Sequence, residues 1–254
     1  MKKVYANWTY TPTDYFENEI LLEEAGYSIK IKEGNIELVV NEEENENVSE
    51  THSKYSDMVE SFFMAELLGE RRFYELKVSS LKAENEDGSI TKYIKPKSIN
   101  VTFSFGTSVA FTIMDKDGNI IKDSEEEKQK KQIELLKKLQ NALNRDEIVK
   151  GLIDSYKSSI SDPNNELVHL YEIRDALHSY FGSHGKAIKD LSITAKEWND
   201  LGRVCNGLPL NQGRHRGQNL GHLRDASKEE LEKARTIAIK MIESFIDYLN
   251  KEDE

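Results

Sequence analysis

Apolar and polar residues alternate along the first half of the chain and recur at helical spacing along the second. Lys3–Tyr10 (KVYANWTY) is rich in aromatic and β-branched residues and stops before Pro12. Ile20–Leu22, Tyr27–Lys32 (YSIKIK) and Ile36–Val40 (IELVV) follow, the last two separated by Glu33-Gly34-Asn35. Period-two alternation around a glycine turn predicts a hairpin. Glu42–Glu50 is an acidic run that reads as a mobile loop. One helix interrupts the strands: from Tyr55, the positions Met58, Val59, Phe62, Phe63, Ala65, Leu67 and Leu68 mix spacings of three and four, and Gly69 supplies a stop. Strand patterns return at Phe73–Leu81, Ile90–Ile94, Ile99–Phe105, Val109–Met114 and Ile120–Ile121, with turns at Asn85–Gly88, Gly106 and Asp117-Gly118. A sheet of six to eight strands carrying one helix is the natural assembly.

After residue 123 the period changes. Ser124–Glu127 is a capping box for a helix presenting Ile133, Leu136, Leu139 and Leu143. Asp146 caps a helix with Ile148, Val149, Leu152 and Ile153. Pro163 and Asn165 precede a helix with Leu167, Leu170, Ile173, Ala176 and Leu177, ending near Gly182. Thr194 opens a helix through Trp198, Leu201 and Val204. Ser227–Glu230 is a second capping box, and behind it Leu231, Ala234, Ile237, Ala238, Met241, Ile242, Phe245 and Leu249 form one apolar stripe. The pattern predicts an α+β protein: residues 1–122 an antiparallel β-rich domain with one helix, residues 123–254 a bundle of five or six helices.

Composition narrows the function. The single cysteine, Cys205, excludes an internal disulfide and a cysteine-rich zinc site. No apolar run approaches the roughly 20 residues that span a bilayer. The opening MKKVYANWTYTP has no apolar core of a secretory signal, so a cytoplasmic protein without a membrane partner is expected. A net charge of −11 argues against a duplex-DNA binder while permitting a small basic site for one or two phosphates. No phosphate-cradling glycine loop with its lysine is present, and no cofactor is expected.

The chemistry concentrates in Asn206–Asp225, NGLPLNQGRHRGQNLGHLRD. Leu201 to Arg224 contains no Asp or Glu, although the chain's acidic content would place about four there. Arg203, Arg214, Arg216, Arg224, His215 and His222 fall in this window. Such a loop, delivered onto the N-terminus of the last helix, reads as an anion or phosphate site. Arg216 and Arg224 suit bidentate phosphate contact, and a histidine suits proton transfer near neutral pH. An Arg and a His at one phosphodiester suffice for RNA cleavage without a metal. The plain alternative is that Arg216 and His222 hold a glycine-rich connection in place. His215, between two arginines, reads as a phosphate contact or loop anchor. His169 and His178 stand on different faces of one helix without a carboxylate pair at ligand spacing, so no metal site is expected. His184 is placed in a helix-ending loop. Glu172, Arg174 and Asp175 read as a solvated face, with orienting the Arg/His loop as the alternative, Cys205 as a small buried residue, and Trp8 and Trp198 as core.

Arg216-Gly-Gln-Asn-Leu-Gly-His222, just before a capped amphipathic final helix, resembles the Arg-x(4–6)-His signature of the HEPN domain (higher eukaryotes and prokaryotes nucleotide-binding). The helix LVHLYEIRDAL from Leu167 is similar to the L-Y-x-x-x-x-A-L helix of non-toxin HEPN-like bacterial proteins. The resemblance covers roughly residues 125–250. It implies a metal-independent endoribonuclease of a defence or toxin system, with Arg216 and His222 catalytic, and with Arg214, His215 and Arg224 binding RNA or a nucleotide. It also implies a site formed across a homodimer of the bundle. It equally admits non-catalytic nucleotide- or protein-binding members, with the β domain sensing a ligand or regulating the bundle.

Overall fold

The computed structural model describes residues 2–24, 26–42, 48–85, 87–93, 111–114, 126–218 and 221–251. The chain forms two compact units, Met1–Lys137 and Lys138–Glu254, and its architecture is α+β.

The first unit is a seven-stranded antiparallel sheet in the order β6-β5-β1-β4-β3-β2-β7. The strands are β1 Lys2–Thr11, β2 Glu19–Glu24, β3 Tyr27–Lys32, β4 Asn35–Glu42, β5 Glu75–Glu84, β6 Ile90–Lys92 and β7 Phe111–Met114. Pairing of Val4, Ala6 and Trp8 on β1 with Val40, Leu38 and Ile36 on β4 puts every buried side chain of both strands on one face. Ile29 and Ile31 of β3 extend that face opposite Leu38 and Ile36. The β3–β4 turn has Glu33 at φ 47° and Gly34 at φ 81°, the two positive values of the hairpin turn whose twist matches the strands.

Helix α1, Val48–Glu70, packs on this face through Phe63 against Tyr10 and Tyr55 against Tyr27. It starts at Val48, ahead of the apolar periodicity that opens at Tyr55, and takes in the end of the run read as a loop. The expected strands at 99–105 and 120–121, and the Ser124 cap, lie outside the described residues.

The second unit is helical. Its elements are the C-terminal part of α2 (Glu126–Arg145), α3 (Ile148–Ser161), α4 (Glu166–Phe181), α5 (His184–Asp190), α6 (Ala195–Gly202) and α7 (Lys228–Lys251). Helix α4 is central and packs on α3, α5, α6 and α7. Leu167, Leu170, Ile173 and Leu177 of α4 are fully buried, as are Ala234, Ala238, Met241, Ile242 and Phe245 of α7. Fully burying each of the Leu, Ile, Met and Phe side chains among them stabilises by about 1.5–3 kcal/mol.

The ends follow from their caps. Gly182, at φ 73°, closes α4 in the left-handed conformation that spares glycine a Cβ clash. Ser183 accepts from Lys186 N–H and starts a new helix at once, so His184 opens α5 instead of lying in a loop. Thr194 and Glu197 form a reciprocal capping box on α6. Asp146 Oδ1 accepts from Ile148 N–H at 3.0 Å. The end of α2 is held to α7 by Asn141 on Asn250 at 2.7 Å and Lys138 on Asp247 at 3.1 Å.

Candidate functional site

The acid-free loop begins where α6 widens into a π-helical turn, Arg203–Gly207, and closes with Leu208 N–H on the Arg203 carbonyl at 3.0 Å. Its neck is fixed by backbone. Arg224 N–H donates to the Pro209 carbonyl at 3.1 Å, and Asn211 N–H donates to the Arg224 carbonyl at 2.9 Å. Asn211 Nδ2 on Asp225 (2.8 Å) and Ala226 N–H on Gln212 Oε1 (3.0 Å) reinforce it. Gly213 is buried where a Cβ would meet the Leu210 and Cys205 carbonyl oxygens at 3.2 and 3.3 Å. The neighbouring Arg214 N–H donates to that same Cys205 carbonyl at 3.0 Å.

The charges missing from the window arrive from outside it. Arg203 faces Asp200 at 3.9 Å. Arg214 reaches Asp175 of α4 at 2.6 Å, its guanidinium 4.9 Å from the centre of the Tyr171 ring. Asp175 thus holds the loop while its side chain stays 44% exposed. Arg174 is half-buried, its guanidinium 4.7 Å from the Trp198 ring and its Nε donating to the Trp198 carbonyl at 3.3 Å. Arg224 grips Glu230 with both nitrogens at 2.6 and 2.7 Å. Glu230 also accepts from Ser227 N–H at 2.8 Å, while Glu230 N–H donates to Ser227 Oγ at 3.2 Å. One carboxylate thus serves both the loop and the α7 capping box. Arg224 first, and then the Ser227 amide, hold its carboxyl at about 2, below the ordinary range, against the opposing effect of its burial.

Arg216 differs. It stands at the start of a 3-10 turn, Arg216–Gln218, half-buried, and its Nη2 donates to the Oδ1 of Asn165, the residue before α4. Its partner is a neutral amide, and among the described residues no carboxylate pairs with it. His215 is half-buried beside it. His222 follows Gly221, which has φ 89°, and is exposed. Among the described residues the His222 imidazole has no hydrogen-bond or ionic partner, and no hydrogen bond joins it to Arg216. The loop therefore separates into a bound set (Arg214, Arg224), an arginine held without neutralisation (Arg216) and a free imidazole (His222).

An open concavity of about 360 Å³ lies beside the α7 N-terminus, lined among others by Arg203, Arg224, Glu230 and Lys233. Lys233 within it is paired with Asp200 at 2.7 Å. Cys205 is fully buried, and burial pushes its thiol well above the ordinary range. His178 and His184 stack at 6.3 Å, on exposed positions. Among the described residues no group of three or more His, Cys, Asp or Glu is gathered as metal ligands would be, and no helix is long and apolar enough to cross a membrane.

Sequence reasoning missed Asn165 and Asp162. Asp162-Pro163-Asn164-Asn165 was legible as a helix start, but its partner Arg216 lies far along the chain. No family model, curated protein or solved structure matches the chain.

Proposed function

We propose that the second unit is a HEPN-like bundle whose Asn206–Asp225 loop binds and cleaves single-stranded RNA without a metal. The observation that supports it is the contrast within the loop: Arg203, Arg214 and Arg224 face carboxylates, whereas Arg216 is held by the uncharged Asn165. An arginine fixed in place with its charge uncompensated is what a phosphodiester needs. Six positions on, His222 offers an exposed imidazole with no partner among the described residues.

In this reading Arg216 binds the non-bridging oxygens and stabilises charge on the phosphorane. His222 takes the proton of the ribose 2′-OH as its oxygen attacks phosphorus, or donates one to the departing 5′-oxygen. The P–O5′ bond breaks, leaving a 2′,3′-cyclic phosphate and a 5′-hydroxyl. Arg214, His215 and Arg224 border the strand, and a homodimer of the bundle completes the site. The test is cleavage of labelled single-stranded RNA in EDTA by wild type, Arg216→Ala and His222→Ala. The reading expects cyclic-phosphate products from wild type and a loss of about 100-fold or more in each variant. An inert wild type across varied RNAs overturns it.

A second reading has its own support. The closed neck and the three arginine–carboxylate pairs are what a structural connection in a protein- or nucleotide-binding module would show. It expects no cleavage, and loop substitutions that lower stability alone.

A further inference from the structure

We infer that Asn165 and Asp162 are positioning residues that hold Arg216 on its target while keeping negative charge one side chain away from it; the inference rests on the reading of Arg216 as the phosphate-binding group. Asn165 Oδ1 accepts from Arg216 Nη2, and Asn165 Nδ2 donates to Asp162 Oδ2 at 2.7 Å. A guanidinium can only donate and an ionised carboxylate can only accept. A flipped amide would set NH2 against guanidinium and oxygen against carboxylate, so the amide has one orientation and Arg216 is fixed by it.

The other end of the relay is equally held. His169 Nε2 lies 3.3 Å from the same Asp162 oxygen, and its Nδ1 lies 3.5 Å from Glu172. Asp162 N–H donates to the Ser158 carbonyl at 2.9 Å, and Asn165 N–H donates to the Asp162 carbonyl at 3.0 Å. The turn between them, Pro163–Asn165, has a proline in its first position. The Asn165 amide and then His169 hold the Asp162 carboxyl below its usual range, so it is ionised near neutral pH.

The residue type is the point. Acidic partners serve Arg214, Arg224 and Arg235, where a salt bridge suffices. At Arg216 a carboxylate in direct contact would compete with a phosphate for the same guanidinium. An amide keeps the geometry and leaves the charge. Arg216 Nε and Nη1 have no partner among the described residues and remain for the ligand.

The charge can be moved while the two relay hydrogen bonds, position 162 to 165 and position 165 to Arg216, are both kept. In the paired variant Asp162→Asn/Asn165→Asp, the amide introduced at position 162 donates to the carboxylate introduced at position 165, which accepts from Arg216. The measurement is affinity of the full-length protein for a labelled single-stranded RNA against KCl concentration, with the melting temperature of each variant. Arg216→Ala is expected to weaken binding about tenfold and reduce the salt slope by about 0.7, the loss of one phosphate contact. The paired variant is expected to match Arg216→Ala in both while melting like wild type; Asp162→Asn alone, which leaves Arg216 on an amide but removes the carboxylate that orients that amide, is expected to lose clearly less affinity than the pair and to keep the wild-type slope. Should the paired variant melt early, Asn165→Asp alone places the same carboxylate on Arg216 and gives the same loss.

If Arg216→Ala weakens binding and the paired variant does not, or if Asp162→Asn alone is as damaging as the pair, the positioning role is overturned and the phosphate-binding reading stands. If Arg216→Ala binds like wild type, or wild type does not bind, that reading falls and this inference falls with it.

Discussion

Arg235 of α7 closes its Nε and Nη2 onto the carboxylate of Glu166 at the first turn of α4, at 2.5 and 2.9 Å, with Glu166 only 3% exposed. A carboxylate buried to that depth is tolerable because its counter-ion is held in a two-pronged geometry. Arg235→Ala is expected to cost about 3–5 kcal/mol, since it removes the two-pronged counter-ion of a buried carboxylate. Replacing both residues with apolar side chains of similar volume should recover most of the loss. Urea unfolding of the single and double variants measures this; a single variant as stable as wild type would refute the account.

Acid stability turns on a few surface carboxylates of the helical unit. Glu230 is held at about 2 by Arg224 before its other contacts, Glu197 at about 2 by Lys240, and Asp200 at about 2 by Lys233. Each folded value lies below its unfolded one, so the stabilisation is complete above the ordinary carboxylate range. It disappears as pH falls through about 2. Stability should therefore decline between about pH 4.5 and 2, and Glu230→Gln or Glu197→Gln should flatten that limb and lower the plateau above it. Melting temperature against pH reads both.

Two glycines of the loop should answer oppositely to alanine. At Gly213 the new Cβ meets two backbone carbonyl oxygens at 3.2 and 3.3 Å, and backbone at a closed neck yields poorly. Gly213→Ala is expected to destabilise by about 1–3 kcal/mol. At Gly217 nothing among the described residues stands within 4 Å and φ is not positive. Gly217→Ala is expected to be neutral, or to stabilise by a few tenths of a kcal/mol, through reduced freedom of the unfolded chain. Denaturation midpoints of the two variants decide it.

The thiol of Cys205 should be silent in the folded protein. It is fully buried and burial raises its proton affinity, so a thiol-specific reagent at pH 8 should label it at the rate of unfolding. Rapid labelling of the native protein would contradict the packing of the π-helical turn.

The local grammar of this chain was readable. Thr194 and Ser227, each followed by Glu three residues on, cap their helices as the spacing implies, and the alternation of β1 and β4 sets their shared buried face. The environment of the loop was not, because each of its arginines is answered from a different distance. Arg224 finds Glu230 one turn into the next helix, a pair visible at short range. Arg214 finds Asp175 on α4 and Arg216 finds Asn165 just before it, far back along the chain, and nothing in the sequence of the loop marks those partners. An acid-free stretch is therefore a statement about the chain, not about the field around it. His184 was misplaced for a simpler reason: Gly182 ends one helix and Ser183 caps the next with no loop between.

The backbone bridge between Leu210 and Arg224 makes the intervening residues a cassette. Its two ends are clamped to each other and to the first turn of α7, so a register change inside it need not propagate into the helices. A graft of positions 209–226 would carry its own closure with it, because the backbone bonds of the neck and the Asn211–Asp225 and Gln212–Ala226 contacts all lie inside it.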